Sequence, residues 1–312
     1  MRKTYKIKKL LETNYNYNLK KNKYDYFPKT NDELEKLIDN IIKKHGYYVN
    51  LNNICVSYID NFSNIFMSKR KFNGDVSEWD VSNGKYFKYM FYVCDNFNSD
   101  LSKWNVSNGE YFKYMFYSCK SFNSDLSDWD VLNGTHFNYM FNECIKFNSD
   151  LSKWNVSNGI EFYNMFNKCE LFNSDLSNWN VYKGKYFYYM FRECKNFKSD
   201  LSKWDVSNGE YFMNMFCECN NFNSDLSKWN VSNGWNFSNM FENCYNFNSD
   251  LSKWNVSKGR KFSRMFYGCK NFNSDLSKWK VSLANDWDDF ARNSLLEKYT
   301  ERIPEKFRKD YL

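Results

Sequence analysis

Tryptophan recurs at positions 79, 104, 129, 154, 179, 204, 229, 254 and 279, always 25 residues apart, and the residues around it recur with it. The unit from 97 to 121 reads FNSDLSKWNVSNGEYFKYMFYSCKS. A fixed period of this length marks a chain that stacks one small unit on the next, because a single unit cannot bury its apolar face alone. The frame extends beyond the tryptophans. Residues 47–71 keep it, with Leu51, Ile54 and Val56 at the Leu, Trp and Val places and Phe62, Ile65 and Phe66 at the Phe, Met and Phe places. Residues 272–296 begin FNSDLSKWKVS and then drift. Ten coils therefore occupy 47–296, the first and last degenerate, as expected of end coils with one neighbour each.

Within a unit, Trp104 and Val106 fall on one face of a short strand, and Phe112, Met115, Phe116 and Cys119 stand at i, i+3, i+4 and i+7, the apolar stripe of a two-turn helix. These six residues are the expected core. Gly109, with Asn108 before it, is expected to supply a positive-φ turn from strand to helix. The fold class that follows is an α/β repeat solenoid, one short parallel strand and one short helix per coil. Residues 26–46 read as an N-terminal capping segment: Thr30 and Glu33 form a capping box, Leu34, Leu37, Ile38, Ile41 and Ile42 form one face of a helix over 31–45, and Gly46 stops it. Residues 297–312 read as a C-terminal helical cap, the helical character starting near 285 and breaking near Pro304.

The formal net charge is +7. Arg2, Lys3, Lys6, Lys8, Lys9, Lys20, Lys21 and Lys23, opposed before residue 25 by Glu12 alone, account for all of it, so the body is neutral on balance. Residues 1–25 read as a disordered basic arm. With Tyr5, Tyr15 and Tyr17 interspersed, its cations are candidates for gripping a nucleic-acid backbone. No secretory signal and no apolar run long enough for a membrane span is visible, so a cytoplasmic protein is expected, in a host cytoplasm or virion were the source viral. Eight of the ten cysteines recur in register from Cys94 to Cys269 and read as small buried hydrophobes in a reducing compartment; a row of disulfides is the rival reading.

Metal, cofactor and catalytic signatures are missing. Only Cys217 and Cys219 are closely spaced, the two histidines are His45 and His136, and no nucleophile elbow, zinc motif or phosphate loop occurs. Neither an enzyme nor a small-molecule substrate is expected. An Asp column (75, 100, 125 and on to 275) reads as turn-forming rather than as a calcium ladder, and the Trp column as core rather than as a binding platform for sugars or bases. Ser102, Lys103, Asn105 and Ser107 barely vary among units, whereas the positions of Lys85, Tyr86, Ile160, Glu161, Trp235, Asn236, Arg260 and Lys261 do. Those eight residues are the candidate interaction surface, on the helical, convex side.

The pattern F-N-x-D-L-S-x-W-x-V-S-N…M-F-x-x-C-x-x-F resembles the BspA-like leucine-rich repeat family, in particular the 25-residue repeat of mycoplasma-type surface lipoproteins, also found in protists and large DNA viruses. The likeness covers 47–296 and the lead-in PKTNDELEKLIDNIIKKHG. It implies a leucine-rich-repeat-like solenoid with a parallel sheet on one side, and surface, adhesion or interaction roles. The chain departs from the family in lacking a signal and lipobox, and in placing Gly and then Phe112 where the family commonly has V-T-x-M. The expected function is a protein–protein interaction scaffold. The alternatives are a nucleic-acid accessory protein acting through the arm and a surface adhesin.

Overall fold

Each unit closes into one coil of a stack, and it does so as a succession of tight turns. The structure, a computed structural model, describes residues 23–311. In the unit 97–121, the N–H groups of Trp104, Gly109, Met115 and Cys119 donate to the carbonyls of Leu101, Val106, Phe112 and Phe116, three residues back, at 2.7–3.1 Å. The amides between these turns point along the stack. Phe112, Tyr114, Phe116 and Ser118 donate to the carbonyls of His136, Asn138, Met140 and Asn142 in the next coil at 2.7–3.1 Å. Glu110 and Ser121 donate the other way, to Lys85 and Asp95.

This overturns the strand-plus-helix solenoid of leucine-rich type expected from the sequence. Among the described residues there is no strand beyond isolated parallel bridges, such as Tyr86 to Tyr111 to His136. The α-helix α1 (Asn31–His45) precedes the coils, and three short 3-10 segments follow them. The reason is local. Tyr114 and Ser118 have φ of 58° and 57°, and their equivalents recur coil after coil. A positive φ at the third residue of a four-residue turn is the signature of a type II turn and is foreign to a right-handed helix. Successive turns 112–115 and 116–119 bring Phe112, Met115, Phe116 and Cys119 inward just as a helix would. The extended stretch at Tyr111 lies between the turns at 106–109 and 112–115, so pairing with the next coil lasts for a single residue.

The interior is a set of parallel side-chain columns. Phe112, Met115, Phe116 and Cys119 have no exposed surface, and Trp104 and Val106 expose 3% and 1%. Phe112 stacks on Phe137 at 5.7 Å and Phe116 on Phe141 at 5.6 Å, each nearly parallel. Gly109 serves this packing rather than a positive-φ turn. A Cβ there would stand 2.3 Å from Cζ of Phe112 and 2.9 Å from the Val106 carbonyl, so only glycine lets the ring lie against the backbone. The left-handed positions fall instead on the turn residues, which except for Gly268 carry side chains, Val93 (φ 56°) among them.

Both ends of the stack replace the missing neighbour. In α1 the Thr30 side chain accepts the Glu33 N–H, as a capping box requires, while the Glu33 carboxylate accepts from the N–H of Lys29, one residue earlier than expected. Leu34, Ile38 and Ile42 are buried against the first coil, with Leu37 and Ile41 partly so. The amide of Asn31 donates to the carbonyls of Asn61 and Ser63, both at 2.9 Å, in the columns whose carbonyls elsewhere accept from the preceding coil.

The expected C-terminal helix is three 3-10 segments, Leu296–Lys298, Thr300–Arg302 and Glu305–Tyr311. Leu296 and Phe307 within them, and Ile303 between the second and third, are buried. The Arg302 carbonyl accepts the N–H of Leu276, and the Tyr311 hydroxyl that of Ala291, where a further coil would have supplied acceptors. Asp25, assigned from the sequence to a disordered arm, pairs with Asn53 of the first coil, and Tyr26, the first residue of the expected capping segment, bridges to Ile54.

Two measurable consequences follow from this architecture. A β-branched residue in the left-handed region costs roughly 1–2 kcal/mol, and Asn243 holds the same place as Val93 at φ 56°. Val93→Asn is therefore expected to stabilise the fold by about 1 kcal/mol, seen as a raised thermal midpoint; a lowered midpoint would contradict the turn geometry. The second concerns pH. All ten cysteines are buried free thiols. Burial raises the Cys94 thiol from 9.0 to about 12 and lifts its repeat equivalents in the same direction. Below pH 9 both states keep the proton and nothing changes. As the pH rises past the unfolded value, the unfolded chain releases protons that the folded one retains, so the denaturation midpoint falls between about pH 9 and 12. A flat profile across that window would contradict it.

Candidate functional site

The two columns that invite a ligand are occupied by the fold itself. The indole N–H of Trp104 donates to the Val76 carbonyl at 3.0 Å, and its ring lies parallel to those of Trp79 and Trp129 at 6.4 Å. The same arrangement runs from Trp79 to Trp279, each ring 3–5% exposed. No indole face of this column is open to a sugar or a base. In the Asp column, Asp150 accepts the Ser152 N–H at 2.9 Å and the Ser174 hydroxyl at 3.3 Å, while the Ser174 oxygen accepts the Leu151 N–H at 2.7 Å. The Ser152 amide, chiefly, holds this carboxyl below the usual range. Asp150, Asp175, Asp200, Asp225 and Asp250 thus tie their own turns to the next coil.

The uniform polar positions have similar duties. Asn105 accepts the Ser107 N–H at 3.1 Å. Asn108 donates its side-chain amide to the Ser82 carbonyl at 2.7 Å, so the Asn of the Asn-Gly pair clips one coil to the one before. Each of the eight thiols in register does likewise, Cys119 donating to the Phe91 carbonyl. Repetition at these positions is explained by stacking alone.

Variation lies elsewhere. Lys85, Ile160, Trp235 and Arg260 fall in one column, and Tyr86, Glu161, Asn236 and Lys261 in the next, which is the bridged column. Seven of these eight candidates are exposed or half-exposed. Asn236 is the exception: it is 8% exposed, and its side-chain oxygen accepts the Ser238 N–H at 3.1 Å, so it supports its turn and leaves the candidate surface. The surface is also not helical, since no helix occurs in the coils that carry it.

What the sequence reading missed is the sheet of tyrosine beside these columns. Tyr86 stacks on Tyr111 at 5.2 Å, and Tyr111 meets His136 at 4.9 Å. Tyr89, Tyr114 and Tyr139 stack at 4.8 and 4.3 Å, and Tyr92 on Tyr117 at 4.8 Å. Tyr163 continues edge-on from Tyr139 and stacks on Tyr188 at 4.5 Å; Tyr211 ends the run against Trp235 at 4.8 Å. Most of these rings are half-buried. Partial burial raises the Tyr163 hydroxyl to about 12 and shifts Tyr114 and Tyr188 upward as well, so they stay neutral hydrogen-bonding groups. Lys88 lies over the Tyr111 ring at 4.5 Å. Tyrosines spaced by 25 residues at 89, 114 and 139 were visible in the sequence; the helical reading hid that they stack.

Of the candidate nucleic-acid arm, Lys23 is exposed beside Tyr24. Arg2, Lys3, Lys6, Lys8, Lys9, Lys20 and Lys21 lie outside the described residues. Among the described residues no helix is long and apolar enough to cross a membrane.

No curated protein matches the chain. A family model does, over residues 34–144, 125–214 and 190–300, and so across nearly every coil. The chain belongs to the repeat family described as Mycoplasma protein of unknown function, DUF285.

Proposed function

We propose that the chain is a non-catalytic scaffold that binds a protein partner through the tyrosine strip. The observation that carries this reading is the continuous run of half-exposed rings, stacked or edge-on, from Tyr89 to Trp235. Tyrosine gives large contact area at small entropic cost and is enriched in protein-binding surfaces. Here each ring is already held by its neighbour in the next coil, so little further order is lost on binding. The strip varies from coil to coil, which an irregular partner needs, whereas the hydrogen-bonding Asp, Asn and Ser positions of the turn face largely repeat. The ten free thiols fit a reducing, cytoplasmic setting. The likeness to BspA-like surface repeats supports the rival adhesin reading, which surface labelling of intact cells addresses.

The test is affinity capture from nuclease-treated lysate of the source cells with the full chain and with a Tyr114→Ser, Tyr139→Ser, Tyr188→Ser variant. The wild type is expected to retain a defined protein that the variant loses at least tenfold, about 1.4 kcal/mol. A cooperative thermal transition checks that the variant is folded. Equal retention by a folded variant would contradict the reading. Capture that disappears on nuclease treatment would move the basic arm to first place.

A further inference from the structure

The neutral charge of the body hides a gradient along the turn face. At the Lys103 position the successive coils carry Glu78, Lys103, Asp128, Lys153, Asn178, Lys203, Lys228, Lys253 and Lys278. The early coils neutralise one another: Lys103 pairs with Glu78 at 2.6 Å and Lys153 with Asp128 at 3.1 Å. The last four present lysine at the same place with no acid in the column, and all four are exposed. Two residues on, Asp80, Asp130 and Asp205 give way to Asn230, Asn255 and finally Lys280, so these two columns are free of acid only after Asp205, and Lys258 stands where most coils have Asn. Like charges directly opposed on neighbouring strands are destabilising, so the stack itself gains nothing from this column.

At the last two coils the face is concave. A hollow of about 340 Å³ is lined by Lys253, Lys278 and Lys280 together with Ser252, Asn255 and Ser257, and no carboxylate lines it. Asp250 and Asp275 belong to the same turns, but each is tied through Oδ1 to the amide of Ser252 or Ser277, at 3.0 and 2.9 Å. They temper the local field without entering the hollow.

We propose that this groove binds an acidic polysaccharide with one negative charge per sugar, lying along the stack from Lys278 toward Lys203. The cations repeat once per coil, about 4.8 Å if the bridged backbones keep the usual interstrand spacing. A 1,4-linked pyranose advances its chain by nearly the same step, so one anion meets one lysine. The Ser252 and Ser257 hydroxyls and the Asn255 side-chain nitrogen, whose oxygen partner is engaged by Ser257, are suited to ring hydroxyls. A single-stranded nucleic acid fits less well, because it needs open aromatic faces, and the Trp254 and Trp279 rings are 4% and 5% exposed. The groove shares no residue with the tyrosine strip, so the two readings fail separately.

Titrating the full chain with polygalacturonate tests the proposal, with dextran and an oligothymidylate of equal charge as comparisons. Binding to polygalacturonate is expected, weakening with salt. It should fall about tenfold or more in a Lys253→Ser, Lys278→Ser, Lys280→Ser variant, which removes three exposed charges at once. A Lys103→Ser, Lys153→Ser variant should bind like the wild type. The proposal is overturned if the triple variant binds as well as wild type, if dextran binds equally, or if the oligothymidylate binds more tightly than polygalacturonate.

Discussion

The amide of Phe116 donates to the carbonyl of Met140, one coil on, at 2.9 Å. That bond, repeated at every second residue from Phe112 to Ser118 and in every central coil, holds the molecule together. Alternate amides can point along the stack only if the intervening residues turn, and the turns need a left-handed residue at Tyr114 and Ser118. The cost of those conformations, of order 1–3 kcal/mol each, is offset by bonds that only a neighbouring coil can complete. This is why one coil cannot fold alone and why both ends need substitutes, Asn31 at one and Arg302 and Tyr311 at the other.

The recurring side chains extend the same logic. Trp104, Cys119 and Asn108 each donate to a carbonyl of the preceding coil, and Ser124 accepts the amide of Leu101 from the following one. Buried polar groups must find partners, and in this chain the partner is nearly always a residue one repeat away. The near-identity of the units is therefore a structural requirement at these columns. The columns do not use the tyrosine strip or the lysines that drift into register in the last four coils, and the proposed recognition rests on these.

Much of this was legible in the sequence. The period set the coil boundaries, the apolar columns set the core, and Thr30, Leu34, Ile38 and Gly46 marked α1. The secondary structure was not legible, for a definite reason. Apolar residues at i, i+3, i+4 and i+7 fit two turns of helix and two successive four-residue turns equally well. The hint lay in the residues between, where Gly268, Asn243 and Asn293 occupy the Ser118 position, but Val93, Glu143 and Lys168 in the same column concealed it. Gly109 was misread because its requirement is the Phe112 ring and not a dihedral angle. The tyrosine strip depends on which side chains meet across coils, and that follows only once the turns replace the helix.

The most direct test is backbone NMR of one central coil, residue by residue over 112–119. The account predicts positive φ at Tyr114 and Ser118, and slow amide exchange at Phe112, Tyr114, Phe116 and Ser118, whose partners lie in the next coil. Uninterrupted helical shifts and couplings from Phe112 to Cys119 would contradict it.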